Sequence, residues 1–193
     1  MNQLIKNGCI TARELEIVRR EAENYRNQSV PARIGTKRSI NTSIRNSLLL
    51  FPPLEMVRKS RNIIQSTIIQ EYLGVDITLT ELNQFQYLKY ETGGFYDWHQ
   101  DVIDHTPYNI RGLTMSLNIT DESEYSGGEL LVKDGTKIIT GNKKAGSYII
   151  FPSFLEHKAE PVTSGIREAI VSWVLVNTQD LTYLRERYKY FQV

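Results

Sequence analysis

His99-Gln100-Asp101 is the tightest grouping of chemistry-bearing side chains in this chain of 193 residues. If the segment is extended, side chains at i and i+2 project to one face, which sets an imidazole beside a carboxylate within reach of one ion. Two protein ligands hold a catalytic metal poorly, so a third should come from elsewhere. Only three histidines are present: His99, His105 and His157. His157 follows Phe151-Pro152-Ser153, beyond a strand-like run, and is the candidate third ligand. His105 lies in the loop-like Asp104-His105-Thr106-Pro107 and is not taken as a ligand. Alone, a His-x-Asp triplet also reads as a surface histidine beside a hydrogen-bonded aspartate, and a lone His157 as a structural histidine.

Two histidines and one carboxylate on one side of an ion form a facial triad suited to non-haem Fe(II), with the remaining positions open to co-substrate and dioxygen. A second feature follows His157. Arg167 enters the apolar run Ala169 to Val176, and a buried guanidinium needs an anionic partner. Its planar fork suits a carboxylate and fixes that group's orientation. The partner is either an external carboxylate or an Asp or Glu of the core, and spacing leaves both open.

The elements that must position these residues divide into a helical and a β-rich part. Thr11 to Arg26 is predicted helical, with Thr11 and Glu14 at capping-box spacing and Leu15, Val18 and Ala22 recurring on one face. Residues 29–47 read as loop or edge strand. After Pro52-Pro53 a second helix is predicted over Leu54–Leu73, closed by Gly74. From Ile77 short runs rich in Tyr, Ile, Val, Leu and Thr alternate with turns such as Gly93-Gly94, Gly127-Gly128 and Asp134-Gly135. The runs Thr80–Tyr90, Leu113–Ile119, Glu129–Val132, Lys137–Thr140, Ser147–Phe151 and Ala169–Val176 are predicted strands of a sandwich or barrel. The tail, Leu181 to Phe191, reads as a short helix. One domain is expected, with 1–76 as helical support, 77–176 as β core and 177–193 as tail.

With 40% hydrophobic residues and 23 basic against 22 acidic side chains, the chain is neither disordered nor built to coat nucleic acid or an anionic membrane. One cysteine, Cys9, leaves no internal disulfide and no site needing two thiolates. Met1 to Glu16 lacks the apolar stretch of an export signal, so a reducing cytoplasmic setting without membrane attachment is expected. Charge is uneven. Residues 31–61 carry Arg33, Lys37, Arg38, Arg45, Arg58, Lys59 and Arg61 against Glu55 alone, which reads as a solvated face or as a contact surface for an acidic partner.

Taken together, the spaced motifs resemble one family. Tyr90-x-x-Gly93-x-x-Tyr96-x-x-His99-x-Asp101, Tyr125-x-Gly127-Gly128-Glu129-Leu130, Gly146 with Phe151-Pro152-Ser153, His157 with Pro161-Val162-x-x-Gly165-x-Arg167, and Trp173 resemble the prolyl 4-hydroxylase-like branch of Fe(II)/2-oxoglutarate-dependent oxygenases. The resemblance keeps order and spacing from about Leu82 to Trp173. It implies a double-stranded β-helix, a jelly-roll or cupin-like core with the N-terminal helices packed on the larger sheet. It implies His99, Asp101 and His157 as iron ligands and Arg167 as the grip on the distal carboxylate of 2-oxoglutarate. Tyr90 matches a tyrosine that helps hold that carboxylate, while also reading as a core aromatic with a polar tip. Tyr96 either borders substrate or walls the pocket, Trp173 reads first as core packing, and the Tyr125–Leu130 motif as structural.

One departure affects the co-substrate. Leu113-Thr114-Met115-Ser116-Leu117-Asn118 lacks a tyrosine that several relatives carry there, so Thr114 or Ser116 is the candidate hydroxyl. The resemblance implies Fe(II), 2-oxoglutarate and O2, with ascorbate as reductant, and hydroxylation of a peptidyl proline in a peptide or protein. The alternatives are the same chemistry on a small molecule, free amino acid or nucleobase, with nucleic acid disfavoured despite residues 31–61. A non-enzymatic jelly-roll binding module is disfavoured by the intact ligand set.

Overall fold

The computed structural model describes residues 4–32, 41–73, 75, 82–102 and 110–190. Along the chain these form β1 (Lys6–Cys9), α1 (Ala12–Glu23), β2 (Val30–Pro31), β3 (Arg45–Asn46), β4 (Leu48–Leu50), α2 (Arg58–Glu71), β5 (Leu82–Tyr90), β6 (Phe95–His99) and β7 (Ile110–Asn118). There follow β8 (Tyr125–Gly127), β9 (Leu130–Asp134), β10 (Lys137–Thr140), β11 (Ser147–Pro152), β12 (His157–Ala159), β13 (Val162–Gly165), β14 (Arg167–Val176) and α3 (Thr178–Tyr190). His105, Arg33, Lys37, Arg38 and Gly74 lie outside the described residues.

Local chemistry sets the helix ends. Thr11 and Glu14 form the expected capping box on α1. The second helix starts later than its apolar pattern suggests, because Leu54–Val57 is a 3-10 turn. Glu21 of α1 then accepts from the backbone N–H groups of Lys59 and Ser60, at 3.2 and 2.9 Å. A carboxylate from one helix thus satisfies the open N-terminus of the other. The tail helix starts earlier than expected, at Thr178, because Asn177 Oδ1 accepts from Asp180 N–H at 2.8 Å.

Two antiparallel sheets carry the fold. The larger runs β1-β11-β7-β14-β5-β4-β2 and the smaller β10-β9-β12-β6-β3, with β8 and β13 paired separately. Each long strand of the larger sheet is buried on both faces, and period-two alternation sorts the residues. Phe85 and Tyr87 of β5, Leu113, Met115 and Leu117 of β7, Tyr148 and Ile150 of β11, and Ile170 and Val174 of β14 join Val18, Ala22, Ile64, Ile68 and Leu184 of the three helices in one core. Each such Leu or Ile, fully buried, contributes about 1.5–3 kcal/mol. The helices therefore cover the larger sheet.

The opposite face of that sheet looks onto the smaller one. Leu88, Tyr90, Val171 and Trp173 meet Ala159 and Val162, and Ile149 and Phe151 meet Val132 and Leu155. Thr114, Ser116, Asn118 and Arg167 are also buried polar or charged groups. Along β14, Arg167 and Trp173 differ by six positions and so share a parity. No helix of the described residues is long and apolar enough to cross a membrane.

Candidate metal centre and adjoining cleft

β6 and β12 pair with His99 opposite His157. The register then slips, so that Ala159 faces Tyr96 rather than the residue two before His99. This bulge puts Tyr96 and His99 on one face despite their odd separation. Their rings stack at 3.4 Å between centroids with 16° between planes. The rings of His99 and His157 lie 4.1 Å apart.

Each imidazole is oriented by a backbone carbonyl. His99 Nδ1 lies 2.8 Å from the Asp97 carbonyl oxygen, and His157 Nδ1 lies 3.0 Å from that of Leu155. A carbonyl only accepts, so both Nδ1 atoms carry the proton and both Nε2 lone pairs are left for a ligand. Asp101 lies just past β6, where its N–H donates to the Ser153 carbonyl at 2.9 Å. Its carboxylate sits 3.7 Å from His99 Nε2 and 3.4 Å from His157 Nε2. Oδ2 accepts from Thr114 Oγ1 at 3.1 Å and from Trp173 Nε1 at 2.9 Å. Thr114 Oγ1 also lies 2.8 Å from Ser153 Oγ.

Burial first, and His157 second, push the pKa of His99 down to about 3. The imidazole is thus neutral near pH 7, the form that binds metal. Burial alone would raise the Asp101 carboxyl. In acid, positive charge on His157 and on His99, together with the Trp173 N–H, outweighs it and holds the group well below the usual carboxylate range. Ligand atoms of His99, Asp101 and His157 all fall within 4.8 Å of one another. Lone pairs converging this closely repel unless a cation or proton lies among them, and one oxygen with two imidazole nitrogens fits Fe(II).

Arg167 stands opposite Tyr90 across β14 and β5, with its guanidinium 5.4 Å from the Tyr90 ring centroid. It is 5% exposed. Among the described residues no carboxylate lies within ion-pair reach of it, which removes the reading of a structural Arg–carboxylate pair. It borders a cleft shared with Ser116, Asn118, Tyr125 and Gly128. Tyr125 Oη and Asn118 Oδ1 are buried there without hydrogen-bond partners. Lys143, at the same cleft, is already engaged by Glu129 Oε1 at 3.1 Å and by the Gly127 carbonyl at 2.8 Å. Gly128 has φ +67°, and a Cβ there would come within 2.9 Å of Val162 Cγ2 and 3.2 Å of Arg167 Cδ. A buried cation beside an unpaired phenol, on a wall that tolerates no side chain, fits a carboxylate.

The sequence-predicted residues divide as follows. His99, Asp101 and His157 converge, and Tyr90 and Arg167 face each other. Thr114 places its hydroxyl on Asp101 and Ser153, while Ser116 lines the Arg167 cleft. Sequence reasoning missed that Trp173 donates to Asp101, a role that its shared parity with Arg167 could have signalled. It also missed the Tyr125 hydroxyl in a motif assigned to a turn, and the burial of Arg45. Trp98 lies beneath Lys133 and Lys158, whose Nζ atoms are 4.4 and 5.2 Å from its ring centroid.

Residues 85–175 match the family model described as the 2OG-Fe(II) oxygenase superfamily. A PKHD-type hydroxylase of Synechococcus sp. (strain CC9902) is 28% identical over 149 residues, 73% of this chain and 65% of that protein. One from Aliarcobacter butzleri is 35% identical over 91 residues, 45% of this chain and 40% of that one. The chain thus spans under two thirds of the length of these relatives. A Pseudomonas putida prolyl-4-hydroxylase structure superposes with TM-score 0.71 at 15% identity, covering 89% of this chain and 92% of that one. A Trichoplax adhaerens prolyl hydroxylase, in complex with a hypoxia inducible factor oxygen degradation domain peptide fragment, gives TM-score 0.71 at 15% identity over 92% and 84% of the chains. Both share the jelly-roll fold.

Proposed function

We propose, from the premise that the chain belongs to the 2OG-Fe(II) oxygenase superfamily, that it hydroxylates a C–H bond of a peptidyl proline. The observation that carries the reading is the convergence of His99, Asp101 and His157 beside a buried Arg167 with no carboxylate partner among the described residues. His99 Nε2, His157 Nε2 and an Asp101 oxygen would hold Fe(II). When bound, Fe(II) with 2-oxoglutarate supplies the activation of O2: one oxygen atom enters the substrate as hydroxyl, the other enters succinate, and CO2 leaves. Arg167, with Tyr90 beneath it, grips the distal carboxylate of 2-oxoglutarate and so fixes how deeply that molecule enters. Asp97 and Leu155 carbonyls keep the imidazoles aimed, and Thr114 and Trp173 keep the Asp101 carboxylate from rotating. The surrounding apolar side chains Tyr90, Ala159, Val162 and Trp173 keep water from the reacting atoms.

A peptide substrate is favoured by the peptide held in the Trichoplax adhaerens fold neighbour. The test supplies Fe(II), 2-oxoglutarate and ascorbate in air and follows succinate, with +16 Da products mapped across a peptide library. Succinate formation together with hydroxyproline is expected. Succinate stimulated only by other molecules would remove the proline assignment and leave the reaction class. Absence of succinate with every substrate, while the protein binds Fe(II), would remove the reaction class.

A further inference from the structure

Among the described residues two arginines are less than a tenth exposed: Arg167 at 5% and Arg45 at 7%. Three lysines around the site have carboxylates. Lys133 lies 2.9 Å from Glu156, Lys143 3.1 Å from Glu129 and Lys158 2.6 Å from Glu160. Arg167 finds its anion in the co-substrate under the reading above. Arg45 has none. Its Nε donates to Ser47 Oγ at 2.9 Å, and its terminal nitrogens have no hydrogen-bond partner among the described residues. A guanidinium held this deep with one neutral hydroxyl partner is well suited to take an anion.

The position of Arg45 is as informative as its burial. β3 pairs with β6 so that Arg45 stands directly opposite Tyr96. Its guanidinium lies over the Tyr96 ring at 4.3 Å, and that ring stacks on His99. One aromatic ring therefore separates the guanidinium from a candidate metal ligand. On another side Arg111 lies over Trp173 at 3.7 Å, and Trp173 holds Asp101. Two guanidinium groups thus back onto residues that contact the triad, each on an aromatic face that fixes its plane. Arg45 is also within electrostatic range of Arg111 and His99.

We propose that Arg45 receives a carboxylate carried by the substrate, placed a few bonds from the carbon that reacts. This rests on the hydroxylase reading and narrows its substrate class to molecules with an acidic group beside the target. In a peptide the group is an Asp or Glu side chain near the target residue; in a free amino acid it is the α-carboxylate. The chemistry at Arg45 is the same, a guanidinium fork meeting two carboxylate oxygens. A lysine would supply only one point charge, and a glutamine none.

The test separates binding from turnover. Protein loaded anaerobically with Fe(II) and 2-oxoglutarate is exposed to a random octapeptide pool and, separately, to the free amino acids with their amides. Wild-type protein is expected to retain peptides enriched about tenfold in Asp or Glu over Asn or Gln at one position, the worth of one charge-assisted contact. Retention of free acids over amides, without peptide enrichment, would assign the carboxylate to a small molecule and equally support the site. Arg45→Gln should abolish the preference and Arg45→Lys should reduce it, with anaerobic Fe(II) affinity as the control for folding. The wild-type acid-to-amide contrast needs no variant, so a poorly folded Arg45→Gln protein leaves the proposal testable. Equal retention of acids and amides, retention of neither, or an acid preference that survives Arg45→Gln in a folded protein would overturn it. Acid retention without any succinate formation in air would instead strike the hydroxylase reading and leave the carboxylate site standing.

Discussion

Thr114→Val tests whether this hydroxyl acts through Asp101 or on the co-substrate. Valine fills nearly the same volume, so the change removes an O–H without opening a cavity. Two contacts disappear: the 3.1 Å bond to Asp101 Oδ2 and the 2.8 Å contact with Ser153 Oγ. A hydrogen bond to a charged group is worth about 1.5–3 kcal/mol. The Asp101 bond is at the long end of the range, and Trp173 Nε1 still holds the same oxygen at 2.9 Å. The lower figure applies, about 1.5 kcal/mol, which is roughly tenfold in the Fe(II) dissociation constant and within the usual range for residues supporting metal ligands. Ser153 Oγ, in a residue with no exposed surface, also loses its partner. Folding stability should therefore fall by about 1–2 kcal/mol. The assay is anaerobic titration with Fe(II), followed by titration with 2-oxoglutarate at saturating Fe(II). Weaker metal binding with an unchanged 2-oxoglutarate constant is expected. An unchanged Fe(II) constant with a raised 2-oxoglutarate constant would refute the reasoning and return Thr114 to the co-substrate. Ser153→Ala combined with Thr114→Val should be less than additive, because the two hydroxyls share one contact.

Tyr125→Phe removes the unpaired buried hydroxyl beside Arg167 and should weaken 2-oxoglutarate binding about fivefold without moving the Fe(II) constant, the worth of one hydrogen bond; equal binding by the two proteins would exclude Tyr125 from the cleft's function. Gly128→Ala forces a Cβ into φ +67° and against Val162 and Arg167, so the urea midpoint should drop by the equivalent of at least about 1 kcal/mol, with weaker 2-oxoglutarate binding alongside. Acid sensitivity of the metal-free protein has a definite sign. Because His99 is held down at about 3, the unfolded chain binds a proton between about pH 6.5 and 3 that the folded chain does not, and stability falls as pH is lowered through that window, by up to about 1.4 kcal/mol per unit. Urea midpoints measured from pH 7 to 4.5 should show the slope, and His99→Gln should flatten it; identical slopes in the two proteins would contradict the assignment.

The converging His99, Asp101 and His157 were legible because the chain holds so few histidines and because spaced motifs surround two of them. The geometric reason offered by the sequence was only part of the actual one. His99 is the last residue of β6, and Asp101 lies beyond it, fixed by the Ser153 carbonyl rather than by strand periodicity. The stacking of Tyr96 on His99 depends on the bulge in β6, which a period-two reading places on opposite faces. Strands such as Lys6–Cys9, Arg45–Asn46 and His157–Ala159 are too short for any alternation to be visible. Arg45 went unrecognised for this reason. In sequence it is one of seven basic residues between 31 and 61, and nothing in composition separates a buried guanidinium from its solvated neighbours. Arg58 and Lys59, from the same run, are exposed.

Strand β7 shows where the limit lies. Leu113, Met115 and Leu117 alternate with Thr114, Ser116 and Asn118, a pattern that identifies a strand with two unlike faces. The ordinary inference is that the polar face meets water. Here every one of those side chains is buried. The apolar set meets the helices, and the polar set turns inward, where Thr114 reaches Asp101 and Ser116 and Asn118 line the Arg167 cleft. Alternation reports that two faces differ and does not report which one is wet. The deciding information is held by other segments, in the apolar stripes of α1 and α2 that must cover one face of the sheet. Once those helices are assigned to the apolar face, hydroxyls and amides remaining on the other face of a doubly covered strand must find partners in the interior. A strand buried on both sides with one polar face therefore marks an internal polar site, and β7 marks it from sequence alone when it is read together with the helices.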